Sequence, residues 1–319
     1  MPFTGIVEED VIPIPEPLYQ LPTLTLYRDT DVLHLPFTAT PGHIWCIGPG
    51  IEGLDQPESS IFQQRSAGQF GSYIRGVDVP AREIFLPLMV RMPTYQTMLN
   101  ERDAYNALTS PYNDEPVRIV FTRPDGQQRH IDGYRVGSAP TWDRGTWIPR
   151  ISWQKFGQTF ICPFPWWSGP VLTATWTGPE SVPFFPITPV FLSSSSVLGV
   201  PQAINVPGDV PAYPFWQICG PADSVTATHV ETGRSWTFNL TLAGGYDPEC
   251  ATIDTHPRSH SHSGSAVKGP DGLSAFSSLE PPFDLWPIPP GPQTVQLDVT
   301  GAEVGTTVAM TIVSLWETA

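Results

Sequence analysis

The chain has 319 residues, of which 40% are hydrophobic and 15% charged, and its formal net charge is −15. This hydrophobic fraction excludes a disordered acidic chain, and the acidic balance argues against a protein that grips nucleic-acid phosphates with clustered lysine and arginine. The length is sufficient for two domains. Because the 38 prolines and 27 glycines break helices and favour turns, we expect a mainly β protein.

The first predicted elements are short strands that alternate apolar and polar residues up to about residue 45. A longer strand is predicted over Ile84–Val90 and should be buried on at least one face. One helix follows, with Thr94 as its N-cap, apolar side chains at helical spacing from Tyr95 to Leu108, and Ser110-Pro111 as its end. We expect it to span about 15 residues.

A β-hairpin is predicted next, from two apolar runs that flank a turn. The runs cover residues 117–122 and 127–136, and the sequence between them contains Pro-Asp-Gly, which supplies turn residues. A further strand leads to CPFPWW, which contains Cys162, Pro165, Trp166 and Trp167.

Two adjacent tryptophans between prolines have two readings. They can form a platform for a ligand such as a sugar ring, or they can pack at a domain junction or interface. The sequence favours packing, and Cys162, Pro165, Trp166 and Trp167 are the candidate junction residues.

After Trp167 the pattern changes to short strands separated by turns such as Glu231-Thr232-Gly233-Arg234. This spacing, without intervening helices, indicates a β-sandwich. We place the boundary near residue 170, which gives domains 1–170 and 171–319, called below the first and second halves. Twelve of the 14 arginines lie in the first half. Arginine suits bidentate subunit contacts, so this half is predicted to assemble, although a codon bias explains the scarcity of lysine equally well.

Two motifs raise the question of a bound ligand. GPGIEG (residues 48–53) matches a dinucleotide-binding glycine pattern, but LDQPESS follows it instead of a helix, which favours a turn. His256, His260 and His262, with Asp254 nearby, could ligate Zn²⁺ or Ni²⁺. Their Ser- and Gly-rich setting favours a loop, so we assign no metal and no cofactor.

The four cysteines lie far apart, with no C-x-x-C motif, and are predicted to be reduced, mostly buried thiols. They are Cys46, Cys162, Cys219 and Cys250. No signal peptide is visible, and no apolar run reaches the roughly 18 residues of a membrane span. No local catalytic motif occurs, which favours a protein that is not an enzyme.

The order of these features resembles the distal tail proteins of long-tailed, siphovirus-type phages. In the first half the resemblance is carried by Gly53-Leu54 with Pro57, GQFGSYIRG, the helix closing on Ser110-Pro111-Tyr112, the strand RIVF, and Phe160, Cys162, Pro165 and Trp167 in an F-x-C-x-x-P-x-W segment. In the second half it is carried by Asn205 to Asp209, Ala212-Tyr213-Pro214, Ile253-Asp254 and PIPPG at residues 287–291.

The resemblance implies a structural protein of the virion, made in the bacterial host cytoplasm and located at the phage tail tip. In that family a tail-tube-like N-terminal domain forms a ring, expected to contain six copies, and a galectin-like sandwich projects outward. The ring joins the tail-tube protein to tail-tip hub or baseplate proteins, and the genome passes through its lumen without specific binding. No membrane is involved. The hairpin over 117–136 is expected to pair across subunits, and CPFPWW to close the first domain.

Two other functions stay open from the sequence. A carbohydrate-binding β-sandwich acting in host cell-wall recognition would need exposed aromatics, for which Trp216, Trp236 and Trp286 are the candidates. A glycan-degrading enzyme would need two carboxyl groups in a cleft, separated by about 5–10 Å, and the sequence marks no such pair.

Overall fold

The structure is a computed structural model that describes residues 21–40, 42–68, 70–137, 152–178, 201–241, 250–256 and 266–319. Its elements are β1 Thr23–Arg28, β2 Asp31–Pro36, β3 Ile44–Cys46, β4 Ser60–Gln64, β5 Tyr73–Asp78, β6 Arg82–Met92, α1 Tyr95–Leu108, β7 Val117–Thr122, β8 Gln128–Val136, β9 Ser152–Cys162, β10 Trp167–Thr177, β11 Gln202–Val206, β12 Pro214–Cys219, β13 Ser224–His229, β14 Arg234–Asn239, β15 Ala251–Asp254, β16 Val267–Lys268, a 3-10 turn Phe276–Ser278, β17 Gly291–Thr300 and β18 Thr307–Trp316. The expectation of a mainly β fold is confirmed.

The strands form antiparallel sheets, and the largest sheet runs through both halves. Its order is β16-β15-β12-β18-β10-β8-β7-β1-β2, and β3, β6 and β9 join it through β8. A second sheet has the order β11-β17-β13-β14, and β4 pairs with β5 in a separate hairpin. The halves are joined by β10, which pairs with β18 and also meets β8 where Ser168 lies opposite His130. The predicted domain boundary near residue 170 falls inside β10, so no break in secondary structure marks it. The boundary stays a prediction.

The predicted helix is confirmed as α1. The Thr94 hydroxyl accepts a hydrogen bond from the Thr97 backbone N–H at 3.2 Å, which caps the first turn. Met98, Tyr105 and Leu108 are buried on one face, so their spacing seats the helix on the first-half core. Within the described residues it is the one α-helix.

The predicted hairpin is confirmed as β7 and β8, whereas its expected pairing between subunits stays a prediction that the strand order does not favour. Gly126 has a φ of 83°, and the Asp125 carboxylate accepts a hydrogen bond from the Gln127 backbone N–H at 2.9 Å, so the turn residues act as the sequence suggests. However, β7 lies between β1 and β8, and β8 also borders β9 and β10. Intramolecular neighbours therefore occupy the outer edge of β7 and part of that of β8, which leaves little room for a strand of a neighbouring subunit.

The predicted sandwich in the second half is confirmed, and an aromatic cluster fills the space between its sheets. The ring centroid of Trp216 on β12 lies 5.3 Å from that of Trp236 on β14 in the opposite sheet, 6.0 Å from that of Trp176 and 6.1 Å from that of Trp286. Trp216, Trp236 and Trp286 are at most 1% exposed. The sequence-based choice of these three as exposed sugar-binding residues is therefore wrong, because they form the core itself.

A disulfide joins Cys219 to Cys250, which corrects the prediction that all four cysteines are reduced. Ile218 of β12 lies opposite Ala251 of β15. Because the strands are antiparallel, Cys219, which follows Ile218, lies beside Cys250, which precedes Ala251, and their Cα atoms are 4.3 Å apart. Cys46 is a buried thiol, as expected, and burial raises its pKa to about 12.

Candidate functional site

The predicted junction residues lie where β9 ends and β10 begins. Cys162 and Trp167 are fully buried in the core of the first half. Trp166 is half-buried and packs against the core of the second half. The two indoles of CPFPWW thus contact different cores, and the buried Pro165 lies just before them. This placement suits the packing interpretation and not a ligand platform, although the junction role of these four residues remains a proposal.

Arg82, at the start of β6, binds several segments at the junction and is only 4% exposed. Its guanidinium donates hydrogen bonds to four backbone carbonyls: Pro165 at 2.7 Å, Gly53 at 2.9 Å, Asp55 at 2.6 Å and Glu317 at 2.6 Å. Burial lowers the pKa of Arg82, and the negative charges of Glu317 and Asp55 oppose that shift. A rigid five-donor fork satisfies such a set of acceptors better than any other side chain.

The last residue of β18, Trp316, and the residues after it contact the first half. The guanidinium carbon of Arg129 lies 3.8 Å from the ring centroid of Trp316, and its Nη1 donates to the Thr318 carbonyl at 2.7 Å. The backbone N–H of Ala319 donates to the Leu54 carbonyl at 2.9 Å. The junction therefore contains segments from both halves, held by side-chain and backbone hydrogen bonds.

Several arginines of the first half are buried, so its high arginine content has an explanation other than subunit contacts. Arg28, Arg82 and Arg129 are each at most 8% exposed, and each donates to a backbone carbonyl of the same chain. At these positions arginine stabilises the fold of the subunit, and the count of arginines by itself does not mark a subunit contact.

A second feature is the exposed hairpin of β4 and β5, which we call the arm together with the residues that connect these strands. Within the described part of the chain, β4 and β5 pair with each other alone. Every residue of β4 is exposed, as are all but Gly76 in β5. The exposed side chains include large apolar ones: Ile61, Phe62, Phe70, Tyr73, Ile74 and Val77.

A third feature is a depression along β2, which we call the groove. It consists of a cavity of about 710 Å³, lined by β2, His43 and Glu101 among others, and a cavity of about 210 Å³ between β2 and α1. Both cavities include Val32 and Leu33 in their walls. Among the described strands, β2 pairs with β1 and has no partner on its other edge.

The remaining sequence motifs do not form a ligand site in the described residues. GPGIEG leads into β4 and not into a helix, with positive φ angles at Gly50 and Gly53. The ring of His256 packs between Phe164 and Tyr213, at centroid distances of 4.7 and 5.1 Å. The described residues contain no group of three metal-ligating side chains, and His260 and His262 lie outside them.

Sequence reasoning missed the arm and the Arg82 contacts. The arm does leave a signal, because SIFQQ and YIRGVD are short segments containing β-branched and aromatic residues on either side of a glycine-containing connection. The partners of Arg82 leave none, since they are backbone atoms distant in sequence. No helix in the part of the chain that the structure describes is long and apolar enough to cross a membrane.

No protein-family profile and no curated protein matches the sequence. Among solved structures, the chain is similar to the Dit protein of phage SPP1, described as a paradigm of the hub adsorption apparatus in phages that infect Gram-positive bacteria. The TM-score is 0.53 at 13% identity, over 92% of this chain and 98% of that one.

Two structures of the activated phage P2 baseplate, one with Ca and one with Sr, give TM-scores of 0.42 and 0.43 at 10% and 12% identity, over 91% of this chain and 98% of theirs. At 13% identity the match with the SPP1 protein concerns the fold alone. The chain thus has the fold of a phage distal tail protein, the Dit protein of SPP1, over nearly its whole length.

Proposed function

We propose that this protein is a structural, non-enzymatic subunit of a phage tail tip. Six copies form a ring that joins the tail tube to the tail-tip hub or baseplate, and the genome passes through its lumen. The observation that carries this proposal is the fold shared with SPP1 Dit, a hub adsorption protein, across 92% of the chain.

Charge and surface chemistry support the same function. A net charge of −15 disfavours adhesion of DNA phosphates to the lumen wall, because such adhesion requires clustered cations. The arm exposes apolar side chains that a soluble monomer rarely presents together. The proposed partners are other copies of this chain, the tail-tube protein and the hub or baseplate proteins, and the proposed location is the tail tip of a virion assembled in the bacterial cytoplasm.

The carbohydrate-binding alternative loses the residues on which it depended. Trp216, Trp236 and Trp286 are buried between the sheets, so they offer no face on which a sugar ring can stack. We therefore retain the structural proposal alone.

Native mass spectrometry with negative-stain imaging tests the proposal. We expect a species of six times 35.1 kDa and six-fold rings with an open centre. A purified protein that remains monomeric at high concentration and yields no oligomer on chemical cross-linking contradicts it.

A further inference from the structure

We propose that the arm of one copy binds in the groove of the next copy, so that head-to-tail contacts build the ring. This inference rests on the proposed function and specifies the contact that closes the ring. The arm and the groove are different surfaces of the same chain, and a contact between unlike surfaces generates a ring when the rotation closes.

The arm has the chemistry of a segment that is buried in an assembly. Ile61, Phe62, Tyr73, Ile74 and Val77 are each between 50% and 67% exposed. A two-stranded hairpin is only marginally stable by itself in water, and its strands pair with no other strand among the described residues. Burial of these side chains on a neighbour removes a large apolar area from water.

The groove offers both apolar walls and an open strand edge. Val32, which is 48% exposed, and the half-buried Leu33 present apolar side chains to the larger cavity, whereas Leu24 and Leu35 also line it but are fully buried. The volume of this cavity lies within the range of protein ligand sites. The outer edge of β2 is unpaired in the described fold, so an incoming strand can extend the sheet by β-augmentation.

The charges of the arm and of the groove favour the arm as the occupant of the groove. The arm carries two exposed arginines, Arg65 and Arg75, and one exposed acidic residue, Asp78 at the end of β5, so its net charge is positive. The charged residues that line the two cavities are Asp31 and Glu101, and no arginine or lysine is among the lining residues. The arm and the groove are therefore complementary in sign, which favours this contact and fixes its direction.

Another candidate occupant is the segment that precedes β1 in the chain, residues 1–20. This segment is also rich in apolar residues, but it contains four acidic residues and no basic one. Its charges repel those of Asp31 and Glu101, which disfavours this segment as the occupant of the groove.

Charge reversal tests the contact in the full-length protein. We expect Arg75→Glu and Glu101→Arg each to raise the concentration at which rings dissociate by roughly tenfold or more, because each creates a like-charge pair. The double variant should restore ring formation towards the wild-type level. Asp103→Arg is the matched control, since Asp103 is exposed on α1 but is absent from the groove lining. Static light scattering on dilution measures each midpoint, and circular dichroism checks that each variant is folded.

Cysteine pairing identifies the occupant directly. Ile74→Cys and Val32→Cys place one thiol on the arm and one in the groove. Oxidation of a mixture of these two single variants should give a disulfide-linked dimer that neither variant gives alone. The double variant should give a ladder of linked copies, and a link within a single copy would overturn the proposal.

The outcomes separate this inference from the function that it refines. Rings that withstand both charge reversals, without cross-links between copies, leave the ring intact and overturn the arm-to-groove contact. They would direct attention to another tail protein, or to residues 1–20, as the occupant. A wild-type protein that forms no oligomer overturns the proposed ring itself.

Discussion

The two halves of the molecule bury their side chains in different ways. The second half packs four tryptophans between two sheets and links β12 to β15 by a disulfide. The first half builds its core mainly from aliphatic side chains, buries three arginines and leaves the apolar side chains of the arm exposed. The second half therefore buries its large aromatic cluster between its sheets, whereas the first half gathers several exposed apolar side chains in one hairpin.

The two halves are not independent of each other, because they share the junction. Arg82 and Arg129 of the first half bind carbonyls of Glu317 and Thr318. A change at the junction should therefore affect the whole subunit, whereas a change inside one half should have its main effect there. Substitutions in the two halves and at the junction test this difference, and their expected effects range from several kcal/mol to about 0.5 kcal/mol or less.

Trp167→Ala should destabilise the protein by about 3–5 kcal/mol, the cost of removing a fully buried large aromatic side chain. Chemical denaturation measures the change in the free energy of unfolding. Trp166→Ala is the control and should cost less, because Trp166 is only half-buried. Unchanged stability together with loss of binding to a host polysaccharide would show that the packing interpretation is wrong.

Removal of the disulfide, by Cys219→Ser with Cys250→Ser or by a reductant, should destabilise the second half by about 2–4 kcal/mol, because the bond closes a long loop between residues 31 positions apart. Differential scanning calorimetry should show a lower unfolding temperature for the transition to which the second half contributes. A reductant that leaves the calorimetric trace unchanged would contradict the presence of the bond in solution.

Arg82→Lys should cost about 2–3 kcal/mol, because one ammonium group cannot reach all four carbonyls and leaves buried acceptors unsatisfied. Arg91→Lys provides a matched control on the same strand, since Arg91 is exposed, and should change stability by no more than about 0.5 kcal/mol. Equal effects in urea unfolding would mean that the Arg82 contacts do not hold the halves together.

Asp284→Asn should have the smallest effect. Its hydrogen bond with Arg234 lowers the pKa of Asp284, so the pair stabilises the fold above the ordinary aspartate pKa and loses this effect as pH falls through the lowered value. Both side chains are more than 40% exposed, and screening limits the effect to about 0.5 kcal/mol or less. The difference in unfolding free energy between wild type and variant should be present at neutral pH, diminish as the pH falls from the ordinary aspartate pKa through the lowered one and shrink in high salt.

Local patterns allowed much of the fold to be predicted from the sequence. Thr94 and Ser110-Pro111 mark the ends of α1, and Pro-Asp-Gly marks the turn between β7 and β8, because caps and turns are decided by neighbouring residues. The disulfide could not be predicted, since its two cysteines become neighbours only through the register of β12 and β15. The same reason applies to Trp166 and Trp167, whose pattern indicates packing but not which core each indole contacts.

The junction also has a consequence for the rate of folding. The hydrogen bond from Arg82 to Glu317 joins residues 235 positions apart, and β10 pairs with β18 across a shorter but still long stretch of chain, with Trp167 opposite Trp316. Contacts between such distant residues form slowly, because the entropy of the intervening chain must be lost before the contact stabilises it. Until then, the β10 edge that faces β18 and the apolar arm are exposed together, which favours aggregation. We therefore expect the slowest step in folding of the subunit to be closure of the junction, and the supply of closed subunits to limit how fast rings can form.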